Sequence, residues 1–112
     1  MKGKNLVTSN FLLERRWYAV SPDGAGAELI LGIAAPVRDH LDWGCTVSLG
    51  ILDLHPSRIY GVDSWQAVQQ AMLFIARRVT HFSEAGWLFY WDKDGGPASS
   101  ADLIGSGLHH ST

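Results

Sequence analysis

Hydrophobic positions along this 112-residue chain follow two periods: two residues through its first half, and between three and four through one long later segment. Residues 11–20 (FLLERRWYAV) form an aromatic and aliphatic run that ends at Ser21-Pro22-Asp23-Gly24. Proline suits the second position of a turn and glycine tolerates positive φ, so a reversal is expected there. In residues 28–35, Leu29, Leu31 and Ile33 alternate with Glu28, Ile30 and Gly32, which completes a β-hairpin. Residues 36–42 (PVRDHLD) read as a polar loop. Over 43–51, Trp43, Cys45, Val47, Leu49 and Ile51 alternate with Gly44, Thr46, Ser48 and Gly50, the clearest strand pattern in the chain. His55-Pro56-Ser57 is a second turn, and 58–62 is a short strand that leads into a helix.

The helix is expected within 60–79. Asp63 is placed as N-cap with Gln66 three positions on, a capping box. Trp65, Val68, Ala71, Met72, Ile75 and Val79 fall on one helical stripe, and Arg77 and Arg78 lie toward the C-terminal end, where positive charge is favoured. Gly86 breaks the element, 87–91 (WLFYW) reads as a last strand, and Asp92-Lys93-Asp94-Gly95-Gly96-Pro97 closes it. Residues 1–10 are expected to form a flexible arm, 11–96 a single domain and the Gly/Ser/His-rich 97–112 a disordered tail. The order β-β-β-(β)-α-β predicts an α+β fold, an antiparallel sheet of four to five strands with one long amphipathic helix on one face. The expected core holds Trp17 or Tyr18, Leu29, Leu31, Ile33, Cys45, Val47, Leu49, Trp65, Val68, Met72, Ile75 and Phe89.

Composition narrows the functional classes. A 46% hydrophobic and 18% charged chain is globular, and five tryptophans supply much of a core. A formal net charge of −2 argues against nucleic acid as a partner, because phosphate binding calls for a basic face. The basic pairs Arg15-Arg16 and Arg77-Arg78 are short and have local structural explanations. No apolar run reaches membrane-spanning length, so no membrane partner is expected. One cysteine permits no internal disulfide and fits a reducing, cytoplasmic setting. Zinc-ligand spacing, phosphate loops and nucleophile elbows are absent from the sequence, so no catalytic residue, metal or cofactor is assigned.

Two groups remain as candidates. Leu73 and Phe74 lie off the apolar stripe, on the outer side of the helix with Gln66, Gln70 and Arg77. Such an apolar pair among polar residues suits a protein partner or a homodimer mate, while burial within the chain is the competing reading. Asp39, His40 and Asp42 share the 36–42 loop and carry groups able to bind a metal or a small ligand or to do acid–base work, against the plainer reading of a solvated loop. Asp92-x-Asp94-Gly95 lacks the rest of a calcium loop and reads as a turn. Cys45 faces inward, His81 suits the helix end, and His109-His110 read as a solvated end.

Several short patterns together resemble a family of small uncharacterised bacterial proteins, a domain of unknown function. They are Glu14-Arg15-Arg16-Trp17, Pro22-Asp23-Gly24, Ile33 to Pro36, Asp42-Trp43 with Cys45, and the G-V-D-S-x-Q-A helix start from Gly61 to Ala67. The resemblance covers roughly residues 11–91. It implies a bacterial, cytoplasmic, single α+β domain; it implies no activity and carries over no functional residue. The architecture is also similar to that of small antitoxins and toxin-immunity proteins, a likeness of fold alone. The expectation is a non-enzymatic protein-binding domain, with toxin neutralisation as its sharpest form. A small-molecule-binding domain or small enzyme using the 36–42 loop, and a simple homodimer, are the alternatives.

Overall fold

The structure is a computed structural model and describes residues 11–105. The expected arm over 1–10 and the end of the expected tail, 106–112, lie outside the described residues. The fold is α+β, with strands β1 (Phe11–Val20), β2 (Gly26–Ala34), β3 (Val37–Asp39), β4 (Asp42–Ser48) and β5 (Ser57–Gly61), helix α1 (Ser64–Glu84) and strand β6 (Leu88–Tyr90). Short 3-10 turns occupy Gly50–Leu52 and Ser100–Leu103. Every strand pairing is antiparallel.

The β1–β2 hairpin closes where the turn residues place it. Gly24 takes φ 94°, and the Ser21 and Gly24 N–H groups donate to the Ala25 and Ser21 carbonyls, both at 2.8 Å. Trp17 then lies opposite Leu29 and Ala19 opposite Ala27. β3 corrects the expected polar loop over 36–42. From Ile33 opposite Val47 to Val37 opposite Gly44, the β2–β3 side advances four residues while β4 advances three. That extra residue is a bulge at Ala35-Pro36, where proline cannot donate to the ladder. Beyond it the strand resumes along the same edge of β4, and β5 takes the other edge. The hairpin tip is only His40-Leu41, with His40 at φ 57°. The strand expected over 43–51 stops at Ser48, because Gly50 at φ 57° turns the chain into a 3-10 segment that buries Leu52 and exposes Ile51.

Alternation along these strands gathers Trp17, Ala19, Leu29, Leu31, Ile33, Cys45, Val47 and Phe89 in the core. α1 covers that face. Asp63 caps it, accepting the Gln66 N–H at 2.8 Å, while the Gln66 side-chain oxygen accepts the Val62 N–H at 2.8 Å. The helix runs past the expected Val79 to Glu84. It stops through a Schellman arrangement: Gly86 at φ 109° donates to the Ser83 carbonyl, Trp87 N–H donates to the Phe82 carbonyl, and the Trp87 and Phe82 rings meet edge-on at 6.1 Å.

The buried line of α1 differs from the expected stripe. Ala67, Ala71, Ile75 and Val79, four residues apart, face the sheet, with Ala76 also buried. Trp65 is 76% exposed and Met72 37% exposed, so both leave the expected core. The cause is Gly61. A Cβ there would lie 2.3 Å from the Ala67 backbone nitrogen, so strand end and helix start meet backbone to backbone. Small residues therefore occupy the line of contact, and the large side chains about a quarter turn away flank it. α1 packs on β5 and β4 and reaches β2 only at its margin.

Residues 97–103 are not the expected tail. Pro97 bridges Tyr90, the Ala98 N–H donates to the Phe89 carbonyl at 2.9 Å, and Ala98 and Leu103 pack against the core. Ser99 and Asp102 cap the second 3-10 turn reciprocally, and the Thr80 hydroxyl joins that of Ser100 at 2.8 Å. The composition of this stretch hid its order, because its anchors are backbone and hydroxyl contacts made with distant residues.

Gly61→Ala is expected to destabilise the fold by on the order of 2–3 kcal/mol, since backbone atoms must move to admit the methyl group; chemical denaturation measures it. In the same assay Ile75→Ala should cost about 2–5 kcal/mol and Trp65→Ala should stay within about 0.5 kcal/mol of the parent.

Candidate functional site

Because α1 keeps to β5 and β4, the first half of β1 is left outside its cover. Leu13 and Arg15 sit opposite Ile33 and Leu31, so these four share the inner face of the sheet. The 97–103 segment approaches from the other side. Between helix flank and segment lies a cleft of about 190 Å³, lined by Leu13, Glu14, Arg15, Leu31, Ile33, Met72, Ile75 and Leu103. Its buried floor is Leu31, Ile33 and Ile75, and its rim is Leu13, 44% exposed, with Met72. The register of β1 and β2 shifts beside Leu12, and such irregularities re-aim strand ends near sites.

Arg15 is the charged group of this cleft that lacks a carboxylate partner among the described residues. Its guanidinium lies 5.0 Å from the Trp91 ring centre and 5.8 Å from that of Trp17, and Nη1 donates to the Asp102 carbonyl at 3.3 Å. The indoles form a corner: Trp17 and Trp91 meet edge-on at 5.9 Å, and Phe89 backs Trp17 at the same distance. Glu14, which also borders the cleft, commits its carboxylate to Arg16 at 2.9 Å.

The residues of the expected partner face differ in exposure. Gln66 is a capping residue, Gln70 is half-buried, and Arg77 is exposed. Leu73 is 39% exposed, whereas Phe74 packs against the core with the Arg78 guanidinium 5.8 Å from its ring centre. The Leu73–Phe74 pair is thus divided between an exposed leucine and a phenylalanine packed on the core. Asp39, His40 and Asp42 are brought together, but at the tip of the β3–β4 hairpin. The His40 side chain is 95% exposed there and 3.9 Å from Asp39. Among the described residues no cluster of three metal-ligating side chains occurs. Cys45 is buried, and that burial pushes its thiol pKa up, the direction opposite to an activated nucleophile. His81 is exposed on the helix.

Sequence reasoning missed Leu13, Arg15 and Leu103. One signal was present: the period that turns Trp17 and Ala19 inward turns Arg15 inward too, an arginine at a core-facing position.

A second hollow, on the other side of the sheet, is lined by Glu28, Ile30, Ser48, Gly50, Ile51, Asp53 and Leu54. Its carboxylates are engaged: Glu28 with Arg16 at 3.5 Å and Asp53 with Arg78 at 3.2 Å. The His55 backbone N–H and the Arg78 guanidinium hold the Asp53 carboxyl below its usual range. A lowered pKa contributes stability that is present above the unfolded value, about 3.9, and is lost as pH falls through the folded one. Asp53→Asn should therefore lower the Tm at pH 7, with the difference from the parent shrinking below about pH 4; thermal melts across pH measure this.

Residues 14–99 match the model of a family described as a domain of unknown function, DUF6968. The match spans most of the chain, which therefore belongs to that family. No curated protein and no solved structure matches it.

Proposed function

We propose that this member of the family is a non-enzymatic protein-binding domain whose contact surface is centred on the cleft between α1 and the 97–103 segment. The observation that carries the reading is the cleft itself, apolar on floor and rim, with a cation at its edge that has no carboxylate partner among the described residues. Interfaces concentrate their energy in such features, an apolar socket beside an arginine. The cleft is smaller than the roughly 300–1,000 Å³ usual for small-molecule sites, which favours a side chain as its occupant. A cytoplasmic setting accords with a single, free and buried cysteine.

The test is affinity capture with the full chain from lysate of its source organism, read by mass spectrometry. Leu13→Glu/Met72→Glu, both at exposed positions, is expected to lose a stoichiometric partner that Arg77→Glu retains. The reverse pattern would move the contact to the outer helix face, and a partner retained by both variants would remove the cleft from the interface.

A further inference from the structure

The chemistry of the partner is the step beyond, and it rests on the protein-binding reading above. We propose that the cleft takes one apolar side chain from an acidic segment of a partner protein, and that Arg15 receives the carboxylate next to it.

Three observations carry this. The first is size. About 190 Å³ between Leu13, Ile33, Met72 and Leu103 suits one large apolar side chain. The second is the state of Arg15. Contact with the Trp91 and Trp17 rings, at 5.0 and 5.8 Å from their centres, holds the guanidinium against the corner they form, and among the described residues its one hydrogen bond goes to the Asp102 carbonyl at 3.3 Å. A guanidinium held in place by rings loses little further freedom when it binds, and its fork matches a carboxylate with two parallel hydrogen bonds. The third is that no carboxylate among the described residues pairs with this cation. The two acidic residues nearest to it through sequence and contact are engaged: Glu14 pairs with Arg16, and the Asp102 carboxylate accepts the Ser99 N–H at 2.9 Å. Residues 1–10 and 106–112 contain no aspartate or glutamate. A cation without an acidic partner, beside an apolar socket, is complementary to a segment in which an apolar residue adjoins an acidic one.

The experiment is selection of random twelve-residue peptides on the immobilised full chain, followed by affinity measurement with synthetic peptides. Enriched sequences are expected to carry an aliphatic or aromatic residue within two positions of Asp or Glu. Replacing that acid by its amide should weaken binding to the unaltered protein by about tenfold or more. Against Arg15→Gln the acidic and amide peptides should bind alike. The peptide-side change leaves the protein untouched, so loss of folding cannot imitate the result. Enriched peptides without an acidic residue, or an amide peptide that binds the unaltered protein as well as the acid, would overturn the carboxylate assignment while leaving the protein-binding reading in place. No enrichment, together with no captured partner, would overturn both.

Discussion

The close approach of Gly61 to the first turn of α1 decides the layout of this molecule. No side chain fits between the strand end and the Ala67 nitrogen, so the helix starts hard against β5. Ala67 and Ala71 continue the buried line of the helix from there. A helix about 10 Å wide, held at one side of a six-stranded sheet, cannot also shield the far strands. The inner faces of β1 and β6 must then be covered by something else. That role falls to Trp91, Ala98 and Leu103, and the seam between the two covers is the cleft. The opening follows from a contact made across the sheet from it.

The fold was largely legible in the sequence. Alternation gave the inward faces of β1, β2 and β4, the Asp63–Gln66 pair gave the helix start, and Pro22-Asp23-Gly24 gave the hairpin. The failures share one cause, distance along the chain. Ala98 and Leu103 pack against the core in a segment anchored by Phe89, which accepts the Ala98 N–H, and by Thr80, which meets Ser100. Val37–Asp39 is a strand only because β4 extends far enough to pair it past the Ala35-Pro36 bulge. Trp65 fits a helical stripe drawn by hydrophobicity, but closeness of packing put alanines on the contact line and left the indole outside.

The site was less legible than the fold for a related reason. An arginine inside an alternating strand is indistinguishable, in one dimension, from an error in the assumed register. What gives Arg15 its character is Trp91, far along the chain, which brings an aromatic surface to it through the pairing of β6 with β1. The helix-face residues show the opposite effect. Leu73 and Phe74 are neighbours in sequence, yet the helical rotation between them sends Phe74 inward under Arg78.

The pairing of β6 with β1 has a kinetic side. The β1–β2 and β3–β4–β5 ladders join residues close in sequence and close over short turns, whereas Tyr18 and Tyr90 are separated along the chain by the other four strands and the whole helix. That closure spans the longest loop of any strand pairing in the sheet, and three registered pairs hold it. The segment carrying Asp102 and Leu103 hangs from it. One wall of the cleft is thus the part of the chain expected to dock last and to exchange its amides earliest with solvent, so that the socket would widen by local opening with the β1–β2 ladder and α1 still closed.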